Sequence, residues 1–141
     1  MFIQKIENLF IKKIEDISRK GLKNHLERIV NKYNLPYAGF VSSKGASAGR
    51  PLIYYPEDLL IHKELSGKIV GLINDITNLK ITKLDSFTEI IFSNSREYIY
   101  LKKIQPHIMF YCGSHSYKQI KKLIKFLLKN EDPIKKIFTK D

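Results

Sequence analysis

The sequence is poor in cysteine, tryptophan and long apolar runs: it has one cysteine and no tryptophan. Because a disulfide needs two cysteines, Cys112 leaves no disulfide framework within the chain, and we expect a reducing, cytoplasmic environment. Lys5, Glu7 and Lys12 interrupt the N-terminal apolar residues, which argues against a cleaved signal peptide. No apolar run approaches the roughly 20 residues that span a bilayer. We therefore expect a protein that is neither secreted nor transmembrane.

Acidic residues are also scarce: 14 Asp and Glu stand against 25 Lys and Arg, which gives a formal net charge of +11. The excess lies in the flanks. Residues 1–33 carry eight basic and four acidic residues, residues 34–95 six of each, and residues 96–141 eleven basic and four acidic. Such an excess suits an ordinary solvated surface, and it equally suits a surface that binds an anionic membrane or nucleic acid.

The apolar pattern predicts an α+β domain, an α/β sandwich with a five-stranded antiparallel sheet and helices packed on its faces. The order is α-ββ-α-βββ-α, with an extra N-terminal helix. We divide the chain into an N-terminal amphipathic helix at 1–18, a domain at 19–130 and a basic C-terminal tail at 131–141. The predicted segments are a helix from Ser18 to Asn34, strands at 37–42 and 51–55, a helix at 57–78, strands at 87–92, 98–104 and 108–112, and a helix at 116–130.

Two of these helices carry apolar stripes that we expect to face the core. In the helix at 57–78 the stripe is Ile61, Leu65, Ile69, Leu72, Ile73 and Ile76. In the last helix it is Tyr117, Ile120, Leu123, Ile124, Leu127 and Leu128. Ser116 and Gln119 stand at the spacing of a capping box at the start of the last helix.

Three stretches carry a family resemblance: "NLPYAGFVSSKGASAGRPLIYY" after a helix, then "LSGKIVGLINDI", then "REYIYLKKIQPHIMFYCGSHSYKQIKKLIKFLL". With the element order, they resemble the Roadblock / dynein light chain family of small dimeric scaffold domains over residues 19–130. In that family the first strand ends in a turn with a charged residue and a glycine, matched by Lys44 and Gly45. The chain departs from the family in its basic N-terminal helix and in Gly49 to Pro51, which lengthen the hairpin. The related longin fold begins with a strand, so the leading helices favour Roadblock.

The resemblance implies a non-enzymatic, cytoplasmic homodimer that binds or regulates a small Ras-like GTPase, including as a platform at a membrane. Members of this family dimerise with equivalent helices adjacent and with strands joined edge to edge. The alternative function is a basic nucleic-acid-binding module, because Tyr98 and Tyr100 alternate on a strand and could stack on bases.

Two surfaces are candidate interaction sites. The first is the side of the helix at 57–78 away from its apolar stripe, where two glycines one turn apart suggest close approach by another backbone, as in a dimer. Its residues are Lys63, Gly67, Val70, Gly71 and Asn74. The second is a lysine face on the last helix, either a solvated surface or a face for an acidic partner or anionic lipid. Its residues are Lys118, Lys121, Lys122, Lys125 and Lys129.

No pattern predicts catalysis, a metal or a cofactor. The hairpin tip at 44–50 lacks the GK[ST] ending of a phosphate loop and leads into Pro51 and not into a helix. Cys112 and His115 have a C-x2-H spacing, but the other histidines are scattered without a second pair, and zinc needs about four ligands. We expect Cys112 to be a small buried residue.

Overall fold

A five-stranded antiparallel sheet forms the centre of the protein, which we describe from a computed structural model over residues 16–43, 48–77, 88–93 and 95–139. The strands stand in the order β2-β1-β5-β4-β3. They are β1 (Tyr37–Ser42), β2 (Pro51–Tyr55), β3 (Glu89–Ser93), β4 (Tyr98–Gln105) and β5 (Ile108–Ser114). The helices are α1 (Arg19–Lys32), α2 (Leu59–Thr77), α3 (Tyr117–Lys129) and α4 (Glu131–Ile137). The predicted fold class is confirmed.

Strand pairing follows the chain closely. The predicted hairpin joins β1 to β2, while β3, β4 and β5 form a meander that closes against β1. Phe40 in β1 stands opposite Ile53 of β2 and Phe110 of β5. Every residue of β5 is buried, as expected for a central strand covered on both faces. The edge strands are β2 and β3.

Alternation along the strands divides the core into two layers. On one face, Phe40, Phe110 and Cys112 pack beneath α1, α3 and α4. The rings of Phe40 and Phe110 lie 5.1 Å apart in an edge-to-face arrangement. On the other face, Val41, Leu101, Met109 and Tyr111 pack against Ile69, Val70 and Ile73 of α2. Of the helices in the described residues, three therefore cover one face of the sheet and α2 covers the other.

Helix α1 begins where the sequence predicts. Ser18 is its N-cap, and the Ser18 hydroxyl accepts a hydrogen bond from the backbone N–H of Gly21 at 3.1 Å. Gly21 lies inside the first turn of this continuous helix. Residues 1–15 of the predicted N-terminal helix lie outside the described residues. Residues 16–18, at its predicted end, are not helical and lead into α1, with Ser18 as the cap.

The C-terminal boundary predicted at residue 130 is wrong. Residues 131–137 form helix α4 and not a tail. Pro133 is compatible with this helix because it lies in the first turn, where a backbone N–H has no partner within the helix. Ile134 and Phe138 are fully buried in the larger core layer, with the Phe138 ring 5.2 Å from that of Phe40.

Helix α3 is turned about its axis relative to the predicted stripe. Tyr117 and Leu128 are 44% and 58% exposed, whereas Phe126, outside the stripe, is buried against the ring of His25 in α1 at 4.9 Å. The contact with α1 decides the orientation of α3. The apolar pattern of α3 alone does not predict this orientation. The predicted capping box is also absent: Ser116 makes no side-chain cap hydrogen bond. Gln119 instead donates from Nε2 to the Tyr33 carbonyl at 2.6 Å.

Candidate interaction surfaces

Helix α2 is turned about its axis relative to the predicted apolar stripe, of which Ile69 and Ile73 are buried. His62, Ser66, Ile69 and Ile73 face the sheet at helical spacing. The predicted stripe lies to one side of this line, so that Ile61 is 50% exposed and Leu72 is 38% exposed. The two polar residues on the buried side explain why hydrophobicity alone misplaced the face.

A buried polar cluster anchors the start of α2 to the sheet. His62 Nε2 lies 2.9 Å from the Pro56 carbonyl, and His62 Nδ1 lies 2.6 Å from the Tyr111 hydroxyl. Because a carbonyl only accepts, Nε2 carries the proton and the Tyr111 hydroxyl donates to Nδ1. Burial lowers the pKa of His62 and raises that of Tyr111. His62 and Tyr111 are therefore neutral and joined by a hydrogen bond, and we assign them a structural role and no catalytic one.

Gly39 makes this anchor possible. A Cβ atom at position 39 would stand 2.5 Å from the Tyr111 hydroxyl oxygen and 2.9 Å from the Ile53 carbonyl oxygen. The Tyr111 side chain therefore crosses β1 where β1 has no side chain of its own. The sequence pattern places Gly39 in a strand, and only the pairing of Gly39 with Tyr111 across β1 and β5 reveals this role.

Four of the five residues predicted for the dimer face lie on the solvent side of α2, and Val70 does not. Lys63, Gly67, Gly71 and Asn74 are exposed. Val70 is buried at 8% exposure and packs with Ile69 and Ile73. Including Val70 in the exposed face was wrong, because the burial of His62 and Ser66 turns the side of α2 that carries Val70 toward the sheet.

The two glycines of this face have different surroundings. A Cβ atom at either Gly67 or Gly71 would meet nothing within 4 Å, so both positions have open space. However, Gly49 lies close to Gly67. It stands at the tip of the β1–β2 hairpin with φ +84°, and a Cβ atom added at Gly49 would lie 3.7 Å from the Gly67 Cα. The backbone that approaches Gly67 is therefore the chain's own hairpin. Lys44 and Gly45, in the same hairpin, lie outside the described residues.

The displaced apolar residues form a partly exposed row along α2, which we call the α2 ridge: Ile61, Leu65 and Leu72. Their spacing of four and seven residues places them on one side of the helix. Ile76 continues the row and packs on the same cluster as Ile90 and Phe92 of β3, so the ridge runs toward that edge strand. The apolar pattern predicts that these residues face the core, and only the packing shows that they reach the surface.

The predicted lysine face of α3 is present. Lys118, Lys121, Lys125 and Lys129 are exposed, and Lys122 is half-buried. Lys121 Nζ lies 5.1 Å from the centre of the Tyr117 ring, and Lys122 Nζ lies 5.0 Å from that of Tyr33. Both contacts are within cation–π distance.

Cys112 and His115 do not form a metal site. Cys112 is completely buried on the helix-covered face, and burial raises the pKa of its thiol, which makes it unreactive. His115 is exposed, and its Nδ1 contacts the Arg96 carbonyl at 3.2 Å. Across the described ranges, no three His, Cys, Asp or Glu side chains are grouped so as to hold a metal ion. In the same ranges, no helix has the length and apolar character needed to cross a membrane.

The sheet order and the two helical layers define the class of fold. It is the fold of Roadblock/LC7 domains: a solved Roadblock/LC7 domain from Streptomyces avermitilis superposes with a TM-score of 0.57 over 73% of this chain and 86% of that one, at 9% sequence identity. No protein-family model and no curated protein matches the sequence.

Within this fold, the chain is similar to structures of MglB. The gliding protein MglB from Thermus thermophilus matches with a TM-score of 0.63 and 14% identity, over 82% of this chain and 87% of that one. MglB in a tetrameric arrangement matches with a TM-score of 0.60 and 13% identity, over 79% and 84%. At these identities the likeness establishes the fold.

Proposed function

We propose that this protein is a non-enzymatic homodimeric scaffold that binds a small Ras-like GTPase. The observation that carries the proposal is an exposed apolar ridge on the helix that Roadblock domains use for pairing, in a chain with the Roadblock fold. The tetrameric arrangement of one MglB structure supports self-association. The GTPase is what the resemblance to the Roadblock family implies.

The proposed dimer contact is the outer side of α2 from Gly71 to the α2 ridge. Complete burial of a fully exposed aliphatic side chain contributes roughly 1.5 to 3 kcal/mol. The ridge residues are already half-buried or more, so each gains only part of this amount when a ridge from each copy is covered in a contact. Gly71 lies next to the ridge on the solvent side of the helix, with open space around it, which allows a second backbone to approach. Gly67, beside the hairpin, is outside this contact.

Three arginine substitutions test the contact by light scattering on the purified protein. We expect the parent to be a dimer at tens of micromolar, and Leu72→Arg and Gly71→Arg to be folded monomers, because each places a charge in the contact at a cost of about 3 kcal/mol or more. Gly67→Arg is the matched control and should stay dimeric. A monomeric parent, or three variants that dimerise like the parent, would show the contact to be wrong.

A second experiment tests the GTPase. Purified small GTPases encoded in the same genome are loaded with GDP or with a non-hydrolysable GTP analogue, and binding to the full chain is measured by calorimetry. We expect one of them to bind with different affinity in its two nucleotide states. If none binds, while RNA or DNA binds with a steep salt dependence, the nucleic-acid module replaces the scaffold.

A further inference from the structure

Helix α3 presents an apolar edge that the fold leaves uncovered. Leu128 is 58% exposed and Tyr117 is 44% exposed, and the half-buried Ile124 stands between them. The three residues are seven and four positions apart and therefore line one side of the helix. We call this line the α3 edge.

The lysines beside the α3 edge have no acidic neighbour on their own helix. The sequence of α3, YKQIKKLIKFLLK, contains five lysines and no aspartate or glutamate. Other helices of the protein differ: Lys68 pairs with Glu64 within α2, and Lys135 pairs with Glu131 within α4. A helix that lacks such pairs concentrates positive charge next to apolar side chains.

From this juxtaposition we infer that α3 binds the surface of an anionic membrane. The α3 edge enters the region between headgroups and acyl chains, while Lys121 and Lys125 beside it contact acidic headgroups. Aliphatic and aromatic side chains flanked by lysines are the composition of helices that lie in a membrane interface. Lysine stems also extend along apolar surface and keep the ammonium group among the headgroups.

The aliphatic residues distinguish a membrane from nucleic acid. A nucleic-acid surface uses basic side chains with aromatic rings that stack on bases. Near the lysines of α3 lie the rings of Tyr117 and Tyr98, 6.2 Å apart, and that of Tyr33. Leu128 and Ile124 have no ring on which a base could stack, yet Leu128 is the most exposed of the three residues of the α3 edge. An acyl interface accommodates all three edge residues. The face of α3 is also remote from α2, which covers the opposite side of the sheet.

Vesicle sedimentation with the full chain tests the inference. The vesicles are phosphatidylcholine alone, or phosphatidylcholine with about 30% phosphatidylserine, at about 0.1 M and about 0.5 M salt. We expect the protein to sediment with the anionic vesicles, to remain in solution with the neutral ones, and to bind less at the higher salt concentration.

Variants locate the binding surface. The double substitution Lys121→Glu with Lys125→Glu should lower the affinity for anionic vesicles at least about tenfold, because each basic residue near the surface contributes to attraction. Leu128→Ser should lower it several-fold by removing apolar area. The matched control, Arg50→Glu with Lys63→Glu, changes the net charge equally at two exposed positions on the hairpin side of α2, outside the proposed dimer contact, and should bind like the parent. Circular dichroism confirms that each variant is folded.

Three results would overturn the inference. The first is a parent protein that does not bind anionic vesicles. The second is an α3 double variant that binds as the parent does, which would move the contact to another part of the chain, such as the N-terminal amphipathic segment. The third is an equal loss of binding in the control, which would show that vesicle binding depends on the net charge of the protein and not on α3.

Discussion

At the scale of single residues, His25 shows how a polar side chain is kept in the core. It is 6% exposed, and its ring stacks on Phe126 between α1 and α3. Burial, with a smaller contribution from the charge of Arg28, lowers the pKa of His25 from 6.5 to about 4. The folded protein therefore holds this imidazole neutral at pH values where the unfolded chain protonates it.

The sign of the resulting pH dependence follows from proton binding. Between pH 6.5 and about 4 the unfolded state takes up a proton at His25 that the folded state does not. Stability is thus fully present above pH 6.5 and is lost as the pH falls, by about 3 kcal/mol in total. The lowered pKa of His62 acts in the same direction.

Urea unfolding at pH 7 and pH 4.5 checks this for His25. We expect His25→Gln, which cannot be protonated in this range, to lose clearly less stability than the parent between the two pH values. The control His115→Gln removes an exposed histidine and should lose as much as the parent. Equal losses in all three proteins would mean that His25 is protonated in the folded state.

Two glycine-to-alanine substitutions should have opposite effects on stability. At Gly39 the new methyl group meets the Tyr111 hydroxyl, so Gly39→Ala displaces Tyr111 from His62 and should cost about 2 kcal/mol or more. At Gly71 the space is open, and Gly71→Ala should raise helix stability by up to about 1 kcal/mol. Thermal unfolding at low protein concentration measures both, and an unaffected Gly39→Ala would contradict the packing of Tyr111 across β1.

At the scale of secondary-structure elements, α4 completes the larger core layer. Phe138 directly follows the helix, and its ring contacts Phe40 of β1 while the Arg19 guanidinium lies 5.8 Å from the ring centre. Gln105 of β4 donates to the Lys135 carbonyl at 2.9 Å. A seven-residue helix is too short to be stable alone, so these contacts keep it folded.

Removing the Phe138 ring tests the contribution of α4. We expect Phe138→Ala to lower the free energy of unfolding by about 3 to 5 kcal/mol, because the ring is buried and leaves a cavity. Leu128→Ala, at an exposed position of the neighbouring helix, is the control and should change it by about 0.5 kcal/mol or less. Denaturant unfolding followed by circular dichroism gives both values; a small effect of Phe138→Ala would mean that α4 is dispensable.

At the scale of the whole molecule, the described part of the folding unit extends at least from Ser18 to Phe138. The cap of α1 lies at one end of this range and the buried Phe138 at the other. Both core layers are built from residues between them. The folding unit is therefore larger than the predicted domain at 19–130, which omitted α4.

Deletion of residues 1–15 tests this boundary. We expect the shortened protein to unfold cooperatively with a midpoint close to that of the parent, because the core contacts described here lie after residue 15. Calorimetry of both proteins is the measurement. Global unfolding of the shortened protein would show that the N-terminal segment belongs to the core.

Local sequence determined the order and type of the described elements other than α4. Period-two and period-3.6 apolar patterns, Ser18 as a cap and prolines at segment ends act within a few residues, so they can be recognised without knowing what packs where. The strands 37–42 and 51–55 were predicted with the bounds that the structure has. The lysine face of α3 was visible in the same way, because charge follows the helical repeat.

Tertiary structure decided which side of each helix is buried. His62 of α2 is buried because the Tyr111 hydroxyl, 49 residues away in the chain, and the Pro56 carbonyl both supply hydrogen-bond partners. Phe126 is buried because α1 brings His25 to it. These rotations expose Leu72 and Leu128, and with them the two proposed interaction surfaces. Hydrophobicity within a helix cannot reveal such surfaces, because burial depends on the shape and hydrogen bonding of the element opposite.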